Sequence, residues 1–362
     1  MSILESTTKL NIKNEDVLKR EERFIECFKK YKGKKLKLFF SLFKGFRHDL
    51  ILSVIVYLLK DLPVWIVPIV TANIITLIQK QPDNLLQLLL LNLIVGAVSI
   101  AQNPITHTIQ MNLLNKSKRN VEAGLRGAMV RKFQQLSIAF HKETPSGKLQ
   151  SKIMRDVDSF INFSTQIFTS VLSITAGLII TLSIVLSKNI SVFVMFLMCI
   201  PIFAFLTKAF RKPIKKGAKD FRVSMENTSS DVISMIEYIP VTRAHALERK
   251  EIDKLTTTVV EAAKTGFRFD TILHLFGSIS WAAMALLQLG CLGFTAFLAT
   301  KGQITDIGDI ALYQSYFASL LAYVNGILGL LPVFTSGFEA IDSMSEVLTS
   351  TDIENTEKKP KI

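Results

Sequence analysis

The apolar positions of this chain fall in long blocks, not in the short alternating runs of a water-soluble protein. Six stretches, over residues 50–78, 85–111, 160–186, 190–210, 271–299 and 307–334, are predominantly apolar. Each supplies the roughly 20 residues that a helix needs to cross the hydrocarbon layer of a bilayer. The first lies behind a long basic stretch, too far from the start to read as a cleaved signal peptide. Connections between blocks alternate in length. Residues 79–84, 187–189 and the stretch around Lys301-Gly302 are short, whereas 112–159 and 211–270 are long. The short connections therefore share one side of the membrane and the long ones share the other.

The long connections carry a helical period of their own. Leu114, Val121, Leu125, Met129, Phe133 and Leu136 mark one helix face, with Lys118, Arg119, Glu122, Arg126 and Arg131 between them. The second spanning helix is thus expected to continue well past the membrane. After a break at Thr144-Pro145-Ser146-Gly147, Leu149, Ile153 and Val157 carry a new helix into the third span. The second excursion repeats the plan: Val232, Ile233, Ile236 and Ile239 end a descending helix that Pro240 is expected to punctuate. Ile252, Leu255, Val259, Ala263 and Phe267 then make the ascending stripe. At roughly 1.5 Å per residue, about 20 residues per arm carry each turn some 30 Å beyond the bilayer. The pattern predicts an all-α polytopic membrane protein, six long transmembrane helices with two cytoplasmic helical arms.

Composition agrees and charge sets the orientation. With 49% hydrophobic residues the chain is not disordered. Two of its three cysteines, Cys199 and Cys291, lie in apolar runs, which argues against a zinc site or a disulfide framework. A net charge of +13 suits either nucleic acid or an anionic membrane surface. Of 43 Lys and Arg residues, 39 lie before the first span, in the two long connections or at their edge (Lys208), or after the last span. By the positive-inside rule both termini and both arms are cytoplasmic, and the chain is a multi-pass protein of the cell membrane. No zinc-finger spacing, RNP-like motif or basic zipper accompanies the charge, so no nucleic-acid partner is expected. Lys29, Lys30, Lys32, Lys34, Lys35 and Lys37 read as a juxtamembrane cluster near anionic lipid, and residues 9–23 as a mobile or surface-lying tail.

Polar residues within the spans are the candidate cavity lining, because they are costly in lipid. Lys60 and Asp61 are neighbours in span one and are expected to face different ways. In span two, Gln102, Asn103, His107 and Gln110 surround Pro104 and either line a cavity below a kink or form an interhelical hydrogen-bond network. In span six, Tyr313, Tyr316 and Tyr323 recur at helical spacing beside Asn325, as a binding face or as packing. His274, Trp281 and Gln288 follow one another every seven residues in span five. An intramembrane enzyme is disfavoured: there is no His-Glu-x-x-His and no metal-ligand cluster, and Asp156 and Asp158 diverge on a helix.

Three motifs on this frame carry a resemblance. Phe140-His141-Lys142-Glu143-Thr144-Pro145-Ser146-Gly147-Lys148-Leu149 with Asp156-Val157, Tyr238-Ile239-Pro240-Val241-Thr242-Arg243-Ala244-His245-Ala246-Leu247-Glu248, and Lys301-Gly302-Gln303-Ile304-Thr305-Asp306-Ile307-Gly308-Asp309 occur in order. Together they resemble the transmembrane domain of ABC exporters of the multidrug and peptide class, over about residues 36–349. The sequence departs from that pattern at Tyr238, at His245 and by one inserted residue around Asp306–Gly308. The resemblance implies a basic N-terminal segment over residues 1–45, a six-helix domain over 46–345 and a linker over 346–362. It implies coupling helices that dock on nucleotide-binding domains, one near His141, Lys142, Glu143, Thr144, Pro145 and Ser146. The other falls near Ile239, Pro240, Val241, Thr242, Arg243, Ala244 and His245. It also implies a second such transmembrane domain as partner, with arms exchanged, and an amphipathic, drug-, lipid- or peptide-like cargo moved by alternating access.

The ATPase itself is not in this sequence. No G-x-x-x-x-G-K-[ST] and no Leu-Ser-Gly-Gly-Gln occurs. The chain therefore binds no cofactor of its own in this reading, and ATP and Mg²⁺ are expected on a nucleotide-binding domain, either fused beyond the linker or separate. The alternative is a stand-alone permease, or a non-transporting scaffold or receptor, working with a separate ATPase.

Overall fold

The computed structural model describes residues 14–143 and 146–354. These residues form helices in chain order: α1 (Asn14–Lys30), α2 (Lys35–Leu42), α3 (Arg47–Lys60), α4 (Leu62–Lys80), α5 (Leu85–Ala101), α6 (Asn103–Gln135), α7 (Ile138–Glu143), α8 (Ser146–Ser151), α9 (Val157–Gln166), α10 (Leu172–Lys188), α11 (Ile190–Ala244), α12 (Glu248–Thr300) and α13 (Ile307–Leu348). Six helical stretches are long and apolar enough to cross a membrane, as the hydropathy blocks predict. The 55 residues of α11 extend roughly 80 Å, so most of that helix lies outside a ~30 Å hydrocarbon layer. Within the described residues the chain divides into two compact units.

The larger unit runs to Ile184 and resumes at Thr305. In it α3 packs along α6, and α13 packs on α4 and α9. The stripe predicted on the first arm is its interior: Leu114, Val121, Leu125, Met129, Phe133 and Leu136 are all buried. From Val121 onward they meet Val157, Phe160 and Phe163 of α9 and Ile341, Met344 and Val347 of α13 in one apolar cluster. Phe39 of α2 lies 5.2–5.8 Å, ring centre to ring centre, from Phe43, Phe160, Phe163 and Phe168. Aromatic contacts of this kind add about 0.5–1.5 kcal/mol per pair to the burial itself.

The segment read from sequence as a mobile or surface-lying tail is, from Asn14 onward, a helix packed on the first arm. Phe24 and Phe28, one turn apart, are fully buried. Side chains at Gly124 and Gly127 of α6 would strike Phe24 and Glu21, so these two glycines let α1 approach the α6 backbone. Arg20 donates to Asn120 Oδ1 at 2.5 Å, and Arg131 pairs with Glu21 at 2.8 Å. Mixed charges that looked like a solvated tail are in part complementary partners for the basic flank of α6.

The smaller unit, Val185–Ile304, is the antiparallel pair α11 and α12 packed along their length. Asn189 caps α11 by accepting from the Ser191 and Val192 amides at 2.9 and 3.3 Å. Pro240 does not end the descending helix, contrary to expectation. A proline this close to a C-terminus forfeits one bond, to the carbonyl of Ile236, and the last turn carries on to Ala244. The end is set by Ala246, at φ 52°, with Leu247 N donating to Thr242 O at 2.9 Å and Ala246 N to Arg243 O at 3.4 Å. That is a Schellman stop, with alanine where glycine is usual.

Candidate functional site

Two breaks lie side by side in the larger unit and organise a cavity. The first span breaks at Asp61 because Pro63 has no N–H to give to the Leu59 carbonyl four residues back. Val64 N turns instead to Asp61 O at 3.0 Å, which leaves the Lys60 carbonyl free as well. The second span breaks at Gln102, just before Pro104, and its amides fill both gaps: Gln102 Nε2 donates to Leu59 O at 2.9 Å and Asn103 Nδ2 to Lys60 O at 2.7 Å. Gln102 Oε1 accepts from Thr106 at 2.8 Å. Gln102, a candidate cavity residue by sequence, thus spends its amide on a neighbouring backbone.

The break also corrects the expectation for Lys60 and Asp61. They do not diverge; Lys60 Nζ lies 3.0 Å from Asp61 Oδ1, because the chain leaves helical geometry between them. Tyr57 donates its hydroxyl to Asp61, and the Lys60 ammonium sits 4.8 Å over the Tyr57 ring. Asp61 is 8% exposed.

Around this pair is a cavity of about 390 Å³ walled by α3, α6, α13 and the turn at Ile167–Val171. Lys60, His107, Gln110 and Tyr323 line it together. Gln110 is 1% exposed, and its Nε2 finds no acceptor among the described residues. The Ile167–Val171 turn is π-helical, a widening that recurs at functional sites, and it presents Thr169 and Ser170 to the cavity. Nothing in the sequence marked that turn.

Other candidates lie elsewhere. Tyr316 is fully buried and donates to Trp65 O at 2.7 Å, in the packing of α13 on α4 and off this cavity wall. Asn325 is exposed and is not among the residues lining the cavity. His274 and Trp281 border a shallow depression on the smaller unit, with Trp281 73% exposed, and Gln288 lies half-buried one turn and more beyond.

At the tip of the first arm a separate short helix, α7, carries His141, Lys142 and Glu143. Ser137 caps it from the Phe140 amide, and the His141 ring donates to the Phe133 carbonyl at 2.9 Å, folding α7 back onto α6. Thr144 and Pro145 lie outside the described residues, and Ser146 opens α8. The second turn has no separate helix: Ile239, Pro240, Val241, Thr242, Arg243 and Ala244 are the final turns of α11, and His245 is its C-cap. The turn is exposed throughout apart from Thr242, which is half-buried.

Sequence reading missed what holds the end of α13. Three lysines from three segments grip it: Lys35 to Asp342 at 2.5 Å, Lys152 to Glu346 at 2.8 Å and to Ser343 Oγ at 2.9 Å, and Lys132 to Ser350 O at 2.7 Å. Lys132, on the arm and well beyond the span, is 2% exposed; burial, with the Lys29 ammonium nearby, holds its pKa below the usual lysine value. The residues assigned to a linker do not leave the domain at once. Glu354 N donates to Gln135 O at 2.9 Å, and the Ile138 amide donates to Glu354 Oε2 at 3.2 Å.

The architecture defines a six-span membrane domain with two long helical arms, one tipped by a short helix. The model of the ABC transporter transmembrane region matches residues 50–324, and the chain belongs to that family. The transport/processing ATP-binding protein ComA of Streptococcus pneumoniae, from strains R6 and TIGR4, is 24% identical over 226 residues. That match takes in 62% of this chain but 31% of ComA, so the chain spans about a third of the length of these curated relatives. The fold is similar to that of a bacterial Atm1-family ABC exporter with ATP bound, at a TM-score of 0.67 and 12% identity over 84% of this chain and 54% of that one.

Proposed function

We propose that this chain is the translocation half of an ATP-driven exporter in the cell membrane, with both termini and both arms cytoplasmic. It pairs with a second transmembrane domain and is driven by nucleotide-binding domains that carry ATP and Mg²⁺. Its cargo is amphipathic, of drug, lipid or peptide type. The observation that carries this reading is the contrast between the two arms. The first buries its apolar stripe within the chain, whereas the second leaves Ile233, Ile236, Ile252 and Phe267 between 55% and 75% exposed. On a cytoplasmic arm such a stripe is unstable in water and fits a second transmembrane domain reaching around it. Both arm tips stand clear for docking, α7 through Lys142 and the second turn through Arg243.

Cysteines at Lys142 and Arg243 should each cross-link, in native membranes, to a polypeptide or domain that binds ATP. Failure at both positions would sink the coupling assignment. Replacing Ile236 by Asp should abolish the dimer in mild detergent, whereas a dimer that persists at wild-type strength refutes exchange of the second arm. A separate ATPase subunit cross-linked at the same sites would favour the stand-alone permease arrangement.

A further inference from the structure

We propose that the cavity at Lys60 binds the acidic head of a single-chain amphiphile, a carboxylate on an apolar tail. The inference rests on the exporter reading above and narrows its cargo. The cavity wall carries the Lys60 ammonium and no carboxylate: no Asp or Glu is among its lining residues. Asp61, which neutralises Lys60, is turned behind it, held by Tyr57 and off the wall. An ammonium has three donors, and Asp61 takes one of them. Gln110 adds a buried amide N–H₂ with no acceptor, and His107 stands on the same wall. A buried donor of this kind is unsatisfied until a ligand brings an acceptor to it. A cationic ligand would meet Lys60 and find no carboxylate to receive it.

The tail has a place. A second cavity of about 480 Å³ adjoins the first at Ile174, which lines both. Its wall is nearly all apolar, with Leu178, Ile179, Ile327, Leu331 and Phe334. The polar chamber and the apolar groove therefore form one two-part site, head against Lys60 and Gln110, tail along α10 and α13. Gly326 keeps the junction open, since a side chain there would press on Ile174.

The test uses the full chain in nanodiscs of neutral phosphatidylcholine, with three matched probes: dodecanoate, dodecanamide and dodecyltrimethylammonium. A dodecanoate analogue with a diazirine at the chain end should label the groove around Leu178 and Leu331. Dodecanoate should compete about tenfold better than the amide, through a charge-assisted contact, and the ammonium should not compete. Lys60→Met together with Asp61→Asn keeps the site neutral and should erase the carboxylate preference while the amide competes as before. Gln110→Leu should weaken dodecanoate severalfold. Equal competition by all three probes, labelling away from the groove, or a preference that survives the double substitution overturns the proposal. Head-group preference in a chain that cross-links to no ATP-binding domain at Lys142 or Arg243 in native membranes would instead overturn the exporter reading and leave this site standing.

Discussion

Ile353 forms an isolated antiparallel bridge with Leu136, tying the segment that follows the last spanning helix to the root of the short helix at the first arm's tip. Ser137 completes the tie, its amide donating to Asp352 O at 3.2 Å and its hydroxyl to Asp352 Oδ2 at 2.8 Å. The segment after α13 and the start of α7 are thereby joined by several hydrogen bonds. Replacing Asp352 and Glu354 together by Ala removes two of these bonds, at about 1 kcal/mol each. Amide exchange over residues 136–141 should then quicken by an order of magnitude, with exchange in α4 unchanged. Unaltered exchange at 136–141 would show that the strap is not held in this way.

Lys152 should matter more than its carboxylate partner. Its side chain is 8% exposed, whereas that of Glu346 is 69% exposed and already open to water. Lys152→Met also strips the Ser343 hydroxyl and carbonyl of their donor, so a loss of about 1–2 kcal/mol is expected. Glu346→Gln should cost at most about 0.5 kcal/mol, as exposed pairs do. Thermal unfolding in detergent separates the two, and equal losses would refute the asymmetry.

Gln102 is a backbone partner for the Pro63 break, so its removal should weaken the fold without touching the cavity. Gln102→Leu leaves the Leu59 carbonyl without its interhelical donor. Interhelical hydrogen bonds in membranes are worth about 0.6 kcal/mol on average and up to roughly 1.7, which sets the expected loss. Dodecanoate competition should be unaffected. A lost carboxylate preference in this variant would place Gln102 on the cavity wall after all.

Gly308 marks a close approach of α13 to α4. A side chain there would run into the Ala72 carbonyl and the Thr76 hydroxyl, and neither backbone can yield freely because Asp306 is pinned to Lys80 at 2.7 Å. Gly308→Val should cost about 1–3 kcal/mol, in the range of core overpacking, and Gly308→Ala less. Wild-type stability in Gly308→Val would mean that the helices are not packed this closely.

Spans, arms and the buried stripe of α6 were legible because lipid and a helical period each leave a one-dimensional trace. Leu114 to Leu136 could be read at sevens, fours and threes, and every one is buried. Contacts between segments distant in sequence leave no such trace. In the sequence Lys132 and Lys152 counted only toward orientation and Lys35 also toward a lipid-facing cluster, yet each holds the last helix through an acceptor roughly 190–310 residues away. Gln102 and His107 looked alike as polar residues in an apolar span, and a proline in another helix decided that one serves backbone and the other faces the cavity. Pro240 misled for a local reason, since a helix within a turn of its end loses little to proline.

Ala246 offers the last test. It holds the left-handed conformation of the Schellman stop at the tip of the second arm. An L-residue other than glycine gives up roughly 1–2 kcal/mol there. Glycine would relieve this but lose about 0.5–1 kcal/mol to the freedom of the unfolded chain. Ala246→Gly should therefore stabilise the turn by up to about 1 kcal/mol and slow exchange of the Leu247 amide, which bonds Thr242 O. Ala246→Val should do the reverse and more strongly, because branching at Cβ suffers most in this region. If both substitutions leave Leu247 exchange unchanged, α11 does not end at this stop, and the docking turn proposed at Arg243 loses its fixed shape.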